Sequence, residues 1–104
     1  MIIIQVMFEA LVDRRDEFVV LARRTMSASQ REKGCILYRF VSDIDHVNRF
    51  SLLEIWETEE DLKAHFHGNA FKDFFADLPS IGKSVSYVAW QGTLKPYVPP
   101  NPQN

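Results

Sequence analysis

Three histidines, His46, His65 and His67, stand among the 104 residues. Imidazole titrates closest to neutral pH, so each is a candidate acid, base or ligand. His65 and His67 lie two apart in a stretch with helical spacing. They diverge by about 200° around the helix and cannot easily share a metal ion, which would favour a spacing of three or four. No metal site is expected. His46 falls in a polar turn and reads as solvated. His65 shares an apolar stripe with Leu62 and Phe66, so it faces inward. It is either a hydrogen-bonded structural histidine or an acid, base or donor at a pocket wall.

Glu54 is the second candidate. It alternates with Leu52 and Trp56 in a run of strand character, so the three share one face. A carboxylate on an apolar face needs a partner. It reads as a structural ion pair or as a pocket carboxylate with a displaced pKa. Phe8, Tyr38, Trp90 and the stripe Phe71, Phe74 and Phe75 read first as core, and some could line a cavity that accepts a flat ring. Cys35 is the one thiol in the chain. It excludes an internal disulfide and reads as a small buried hydrophobe.

The elements that must position these residues follow from periodicity. Residues 2–10 are an apolar run with β-branched residues at its start, and read as a strand. Asp13 is expected to cap a helix running to about Lys33, with Phe18, Leu21, Ala22, Thr25, Met26 and Ser29 along its inner stripe. Gly34 lies where a helix C-terminal glycine is expected. Residues 35–42 and 49–57 read as strands around a polar turn. Thr58 caps a second helix carrying Leu62, His65 and Phe66. Gly68-Asn69 breaks it, and a further helix carries Phe71, Phe74, Phe75 and Leu78 until Pro79 and Gly82. Residues 84–91 form the last strand.

The order is β-α-β-β-α-β, an α+β, ferredoxin-like arrangement: a four-stranded antiparallel sheet with helices on one face. One domain over residues 1–94 and an extended Pro-rich tail over 95–104 are expected, since four of the five prolines fall from Pro96 onward. The strands do not alternate cleanly. Ile3 and Met7 oppose Ile2, Ile4, Val6 and Phe8; Leu53 and Ile55 oppose Phe50, Leu52 and Trp56; Cys35, Leu37 and Val41 oppose Ile36, Tyr38 and Phe40. Both sheet faces are then largely apolar, which predicts a homodimer of face-packed sheets.

Composition narrows the function. Twelve basic and fourteen acidic residues leave a net charge of −2, with no basic run, so nucleic acid is not an expected partner. No stretch approaches the roughly 20 apolar residues that span a bilayer, and the first residues read as a strand and not as a signal peptide. A cytoplasmic protein without membrane contact is expected. The glycines stand alone, with no phosphate loop, so no nucleotide cofactor is expected.

Leu53-Glu54-Ile55-Trp56-Glu57-Thr58-Glu59-Glu60-Asp61-Leu62-Lys63-Ala64-His65-Phe66, followed by Phe71, resembles the antibiotic-biosynthesis monooxygenase (ABM) domain: E-x-W closing strand three, a helix start, L-x-x-H, then an aromatic. Glu32-Lys33-Gly34-Cys35 is similar to the family's approach to strand two. The resemblance covers roughly residues 2–93. It implies a dimeric α+β barrel. Some members oxidise quinols or polycyclic phenols with dioxygen and no metal or flavin; others degrade haem or process a phosphorylated signalling sugar. Many relatives carry a second histidine where Ala70 stands. Phe75, and Val6 or Met7, stand where haem degraders have their histidine and asparagine, so haem ligation is not expected. No basic phosphate pocket is evident. The implied function is a cofactor-free monooxygenase acting on a quinol or similar phenol. His65 would take or position the phenol proton and Glu54 would orient it. Trp56, Tyr38, Phe8, Phe71 and Phe75 would hold the ring. A stress-response or small-molecule-binding dimer without turnover is the alternative.

Overall fold

Strict alternation of burial along the first strand sets the frame. In β1 (Ile2–Ala10) every even-numbered residue is buried and every odd one half-buried. Such a strand is the middle of a sheet with helices on one side. The computed structural model describes residues 1–93 and 95–103. The expected domain end at Leu94 and the last tail residue, Asn104, lie outside the described residues. The other elements are α1 (Arg15–Ser29), β2 (Cys35–Ser42), β3 (Arg49–Trp56), α2 (Glu59–Phe66), α3 (Asn69–Asp77) and β4 (Gly82–Gln91). The four strands pair antiparallel in the order β2-β3-β1-β4. This is the expected α+β, ferredoxin-like order.

The core lies between the sheet and the helices. Phe8 meets Phe74 edge-on at 5.2 Å between ring centroids, and Phe18 of α1 stacks on Phe50 at 4.6 Å. Burying one such ring stabilises the fold by about 1.5–3 kcal/mol. Thr58 caps α2 as expected, its hydroxyl accepting from the Asp61 N–H at 3.1 Å.

Two expectations change. The first helix is shorter at both ends: a 3-10 turn covers Val12–Arg14, Asp13 makes no cap bond, and the α-helix stops at Ser29. Successive turns follow, with Glu32 N–H donating to Ser29 O and Cys35 N–H to Glu32 O. They lead to Gly34, whose φ is +79°. Facing in β2 also changes. A bulge between Cys35 and Leu37 sets Cys35 opposite Trp56, packed against the core, and leaves Ile36 exposed. Cys35 therefore shares the face of Tyr38 instead of opposing it; an extra residue in a strand resets alternation beyond it.

A second bulge, between Met7 and Phe8 in the β1–β4 pairing, brings Ser84 opposite Phe8 while Tyr87 stays opposite Val6. The helices do not reach β4: all of it beyond Gly82 is exposed. The open sheet face presents Leu53, Val41, Val88 and Trp90 to solvent. No described helix is long and apolar enough to cross a membrane.

Gly34 sets a limit on substitution. A Cβ there would collide with the Asp61 side chain, and the positive φ disfavours any L side chain. Gly34→Ala is expected to destabilise the protein by about 1–2 kcal/mol, read as a lower urea midpoint at an unchanged m-value.

Candidate functional site

The site begins with the pleat of β3. Residues 50, 52, 54 and 56 point toward the helices, and three of them are apolar. The fourth is Glu54, 5% exposed. The Trp56 indole N–H, two residues along the same face, donates to Glu54 Oε1 at 3.0 Å. Tyr38 of β2 lies directly opposite Glu54 in the strand pairing.

The amphipathic stripe of α2 brings His65 down onto this face, where it is 1% exposed. Its ring lies over Trp56 at 4.6 Å between centroids, with Tyr38 at 5.5 Å and Phe71 at 5.6 Å. Its Nε2 is 3.8 Å from Glu54 Oε1. On the other side, Nδ1 is 2.7 Å from Glu32 Oε1. Three residues far apart in sequence thus form a row: Glu54, His65, Glu32.

A cavity of about 350 Å³ opens beside the row. Its floor is Ile4, Val6, Phe8, Tyr38 and Leu52 of the sheet, together with Glu54. Its roof is Phe66, Phe71, Phe74 and Phe75 from α2 and α3, and β4 closes one side with Ser84 and Tyr87. The size lies at the lower end of the range for small-molecule sites. Among the described residues the wall is nearly all apolar, and Glu54 supplies its one acidic group.

Of the residues singled out in the sequence, Glu54, Tyr38, Phe8, Phe71 and Phe75 share this cavity wall. His65 and Trp56 stand behind Glu54 and are not part of the wall. Trp56 donates to Glu54 and packs against the imidazole, and His65 lies beside Glu54. Trp90 is exposed on the open sheet face. Ala70 lies outside this cavity, in a shallow groove with Thr25 and Ala28 of α1. Sequence reasoning did not find Glu32, Ser84 or Tyr87. No periodicity links Glu32 to a histidine 33 residues away. The β4 bulge that admits Ser84 leaves no mark in the residue pattern.

Burial pushes the Glu54 carboxyl above its usual range. The Trp56 hydrogen bond and His65 pull it back in part, and Glu32 adds to the rise. A carboxylate whose charge is poorly solvated holds a proton more tightly and is a stronger base. Burial, and then the charge of Glu54, hold the Tyr38 phenol far above its ordinary value, so it stays protonated. The Cys35 thiol is pushed up to about 11, by burial first and then by Glu32 and Glu54, which leaves it an unreactive neutral thiol. Among the described residues, no group of three or more His, Cys, Asp or Glu side chains is arranged to hold a metal ion.

A sequence model described as antibiotic biosynthesis monooxygenase matches residues 1–77. Uncharacterized protein sll1783 of Synechocystis is 32% identical over 69 residues, 66% of this chain and 47% of its own length. The chain therefore spans about half of that relative. "Putative monooxygenase YcnE" of Bacillus subtilis is 29% identical over 76 residues, covering 73% of this chain and 80% of that protein. Among solved structures, an antibiotic biosynthesis monooxygenase so designated from Deinococcus radiodurans ("putative" in its name) superposes with a TM-score of 0.87 at 17% identity, over 96% of this chain and 100% of that one. A protein of the same designation from Nitrosomonas europaea gives 0.82 at 21% identity, over 90% and 100%. At these identities the structural likeness concerns the fold.

The raised Glu54 pKa carries a stability signature. Between the unfolded and folded values the native state binds more protons than the unfolded chain, so stability falls as pH rises through that window. The slope for one proton is at most about 1.4 kcal/mol per pH unit. Glu54→Gln is expected to remove this fall. Urea denaturation of both proteins at a series of pH values, starting from the ordinary carboxylate range, checks it; parallel curves would refute it.

Proposed function

We propose, from the premise that this chain belongs to the antibiotic biosynthesis monooxygenase family, that it oxidises a quinol or similar phenol with dioxygen, using no cofactor. The observation that carries this reading is one buried, proton-hungry carboxylate on the wall of an otherwise apolar cavity. A phenol bound flat against Phe8 and the α3 phenylalanines places its hydroxyl toward Glu54. Glu54 takes the proton, and the phenolate is electron-rich enough to pass an electron to dioxygen. The radical pair couples at a ring carbon as a peroxide. Cleavage of its O–O bond, with loss of the ring hydrogen, leaves a carbonyl and water. The sum is quinol plus dioxygen to hydroxyquinone plus water, so the substrate itself supplies the electrons. The protein supplies proximity, a dry site and proton handling.

The family name and the relatives' designations support monooxygenase chemistry in general; the quinol and the roles of Glu54 and His65 are our reading. Oxygen uptake over a panel of quinols, anthrones and catechols tests it. Turnover of at least one is expected, with kcat lowered on the order of 10²–10⁴-fold in Glu54→Gln. Ligand binding without oxygen uptake across the panel would instead support a binding protein.

The same reading includes a second copy of the chain on the open sheet face. In its favour are the exposed Leu53, Val41, Val88 and Trp90 and the lack of any helix over that side among the described residues. Large apolar side chains gathered on one exposed face are uncommon on a soluble monomer. Light scattering is expected to give a dimer at micromolar concentration. Leu53→Lys with Val88→Lys is expected to give a folded monomer, with unchanged far-ultraviolet circular dichroism; a wild-type monomer would refute the pairing.

A further inference from the structure

We infer that Glu32 is the positioning residue of the site: it holds His65 with its proton on Nδ1, so that the bare Nε2 faces Glu54 as a proton store behind the cavity. The inference deepens the proposed function and rests on it for its catalytic meaning, although the geometry stands alone.

Three observations converge. Glu32 Oε1 lies 2.7 Å from Nδ1. An ionised carboxylate only accepts, so that nitrogen must donate. A histidine's tautomer is set by the hydrogen bond made at its other nitrogen, which leaves Nε2 as the acceptor. Nε2 in turn lies 3.8 Å from Glu54 Oε1, too close for an intervening water. Such contacts are often long in an unliganded site and tighten when substrate is bound. Finally, the place for Glu32 is built. Its second oxygen lies where a Cβ on Gly68 would come within 2.9 Å, so the bare glycine between α2 and α3 leaves it room. The turns after α1 deliver it there, 26% exposed.

The proton account closes. Glu54 receives the phenol proton and passes it to Nε2, which restores the carboxylate. The resulting imidazolium lies between Glu54 and Glu32, and Glu32 stabilises it without taking the proton itself, as a third residue orients and stabilises the imidazole in hydrolytic triads. When the peroxide O–O bond breaks, the same proton returns through Glu54 to the departing oxygen, completing water. No net proton enters or leaves.

Long-range proton–nitrogen correlation spectra of the full chain labelled with ¹⁵N-histidine, at about pH 8, read the tautomer directly. Exposed histidines favour Nε2–H, and His46 and His67 serve as references. The expected result is a protonated Nδ1 and bare Nε2 at His65. Glu32→Ala is expected to shift it to Nε2–H, and Glu32→Met, which keeps length without an acceptor, does the same if alanine does not fold. An Nε2–H or doubly protonated His65 in the unaltered chain would overturn the inference, as would a pattern unchanged in the variant. On any quinol that is turned over, Glu32→Ala is expected to lower kcat on the order of tenfold or more at nearly constant KM; an unchanged kcat would also overturn it. A chain that turns over no phenol yet shows the Nδ1–H form defeats the proposed reaction and supports the positioning role.

Discussion

The site is organised around the cost of keeping one carboxyl group out of water. Moving an isolated charge into an apolar interior is unfavourable enough that such groups take partners or hold their protons. Glu54 does both. The Trp56 indole gives it one hydrogen bond, the His65 ring stands beside it, and its pKa still rises. The packing of α2 on β3 follows from this constraint. His65 on the inner face of α2 meets Glu54 on the inner face of β3, with the rings of Trp56, Tyr38 and Phe71 around the imidazole.

The cavity exists because the helices stop short. α1 packs on β2 and on Phe50 of β3, while after the break at Gly68 the buried Phe74 of α3 meets Phe8 of β1. Neither reaches β4, and Tyr87 remains 63% exposed at the cavity's edge. A tighter roof would have filled the space with side chains, as most cores do. Here a cluster of phenylalanines that could have been solid core encloses a space, and the one carboxyl group of its wall lies on the sheet side.

Much of this was legible in the residues. Period-two and period-3.6 patterns placed β2 with its observed bounds and put Phe18, Leu21, Ala22, Thr25 and Ser29 inside α1. Glu54 stood out because a charged residue between Leu52 and Trp56 contradicts its own pattern. What could not be read depends on local departures from period or on long-range proximity. The β2 bulge moved Cys35 to the other face, and turns replaced the expected end of the first helix. The side of Glu54 on which His65 would stand, and the approach of Glu32 from a turn, are set by how helices seat on the sheet. A one-dimensional pattern does not encode that. Trp56 stands on the face expected of it, is fully buried there and is not among the residues that line the cavity.

The position of β1 has a further consequence. It is made before its two neighbours, β3 and β4, yet it lies between them, and the Met1 ammonium ends up hydrogen-bonded to Gly92 O, 91 residues away. During synthesis a strand rich in isoleucine, valine and phenylalanine must therefore wait, one edge until β3 has emerged and the other until β4 has. Such topologies fold slowly, since distant segments have to meet before contacts reward them. They also leave sticky intermediates exposed in the meantime. Loss of the last strand would not trim this protein; it would reopen the middle of its sheet.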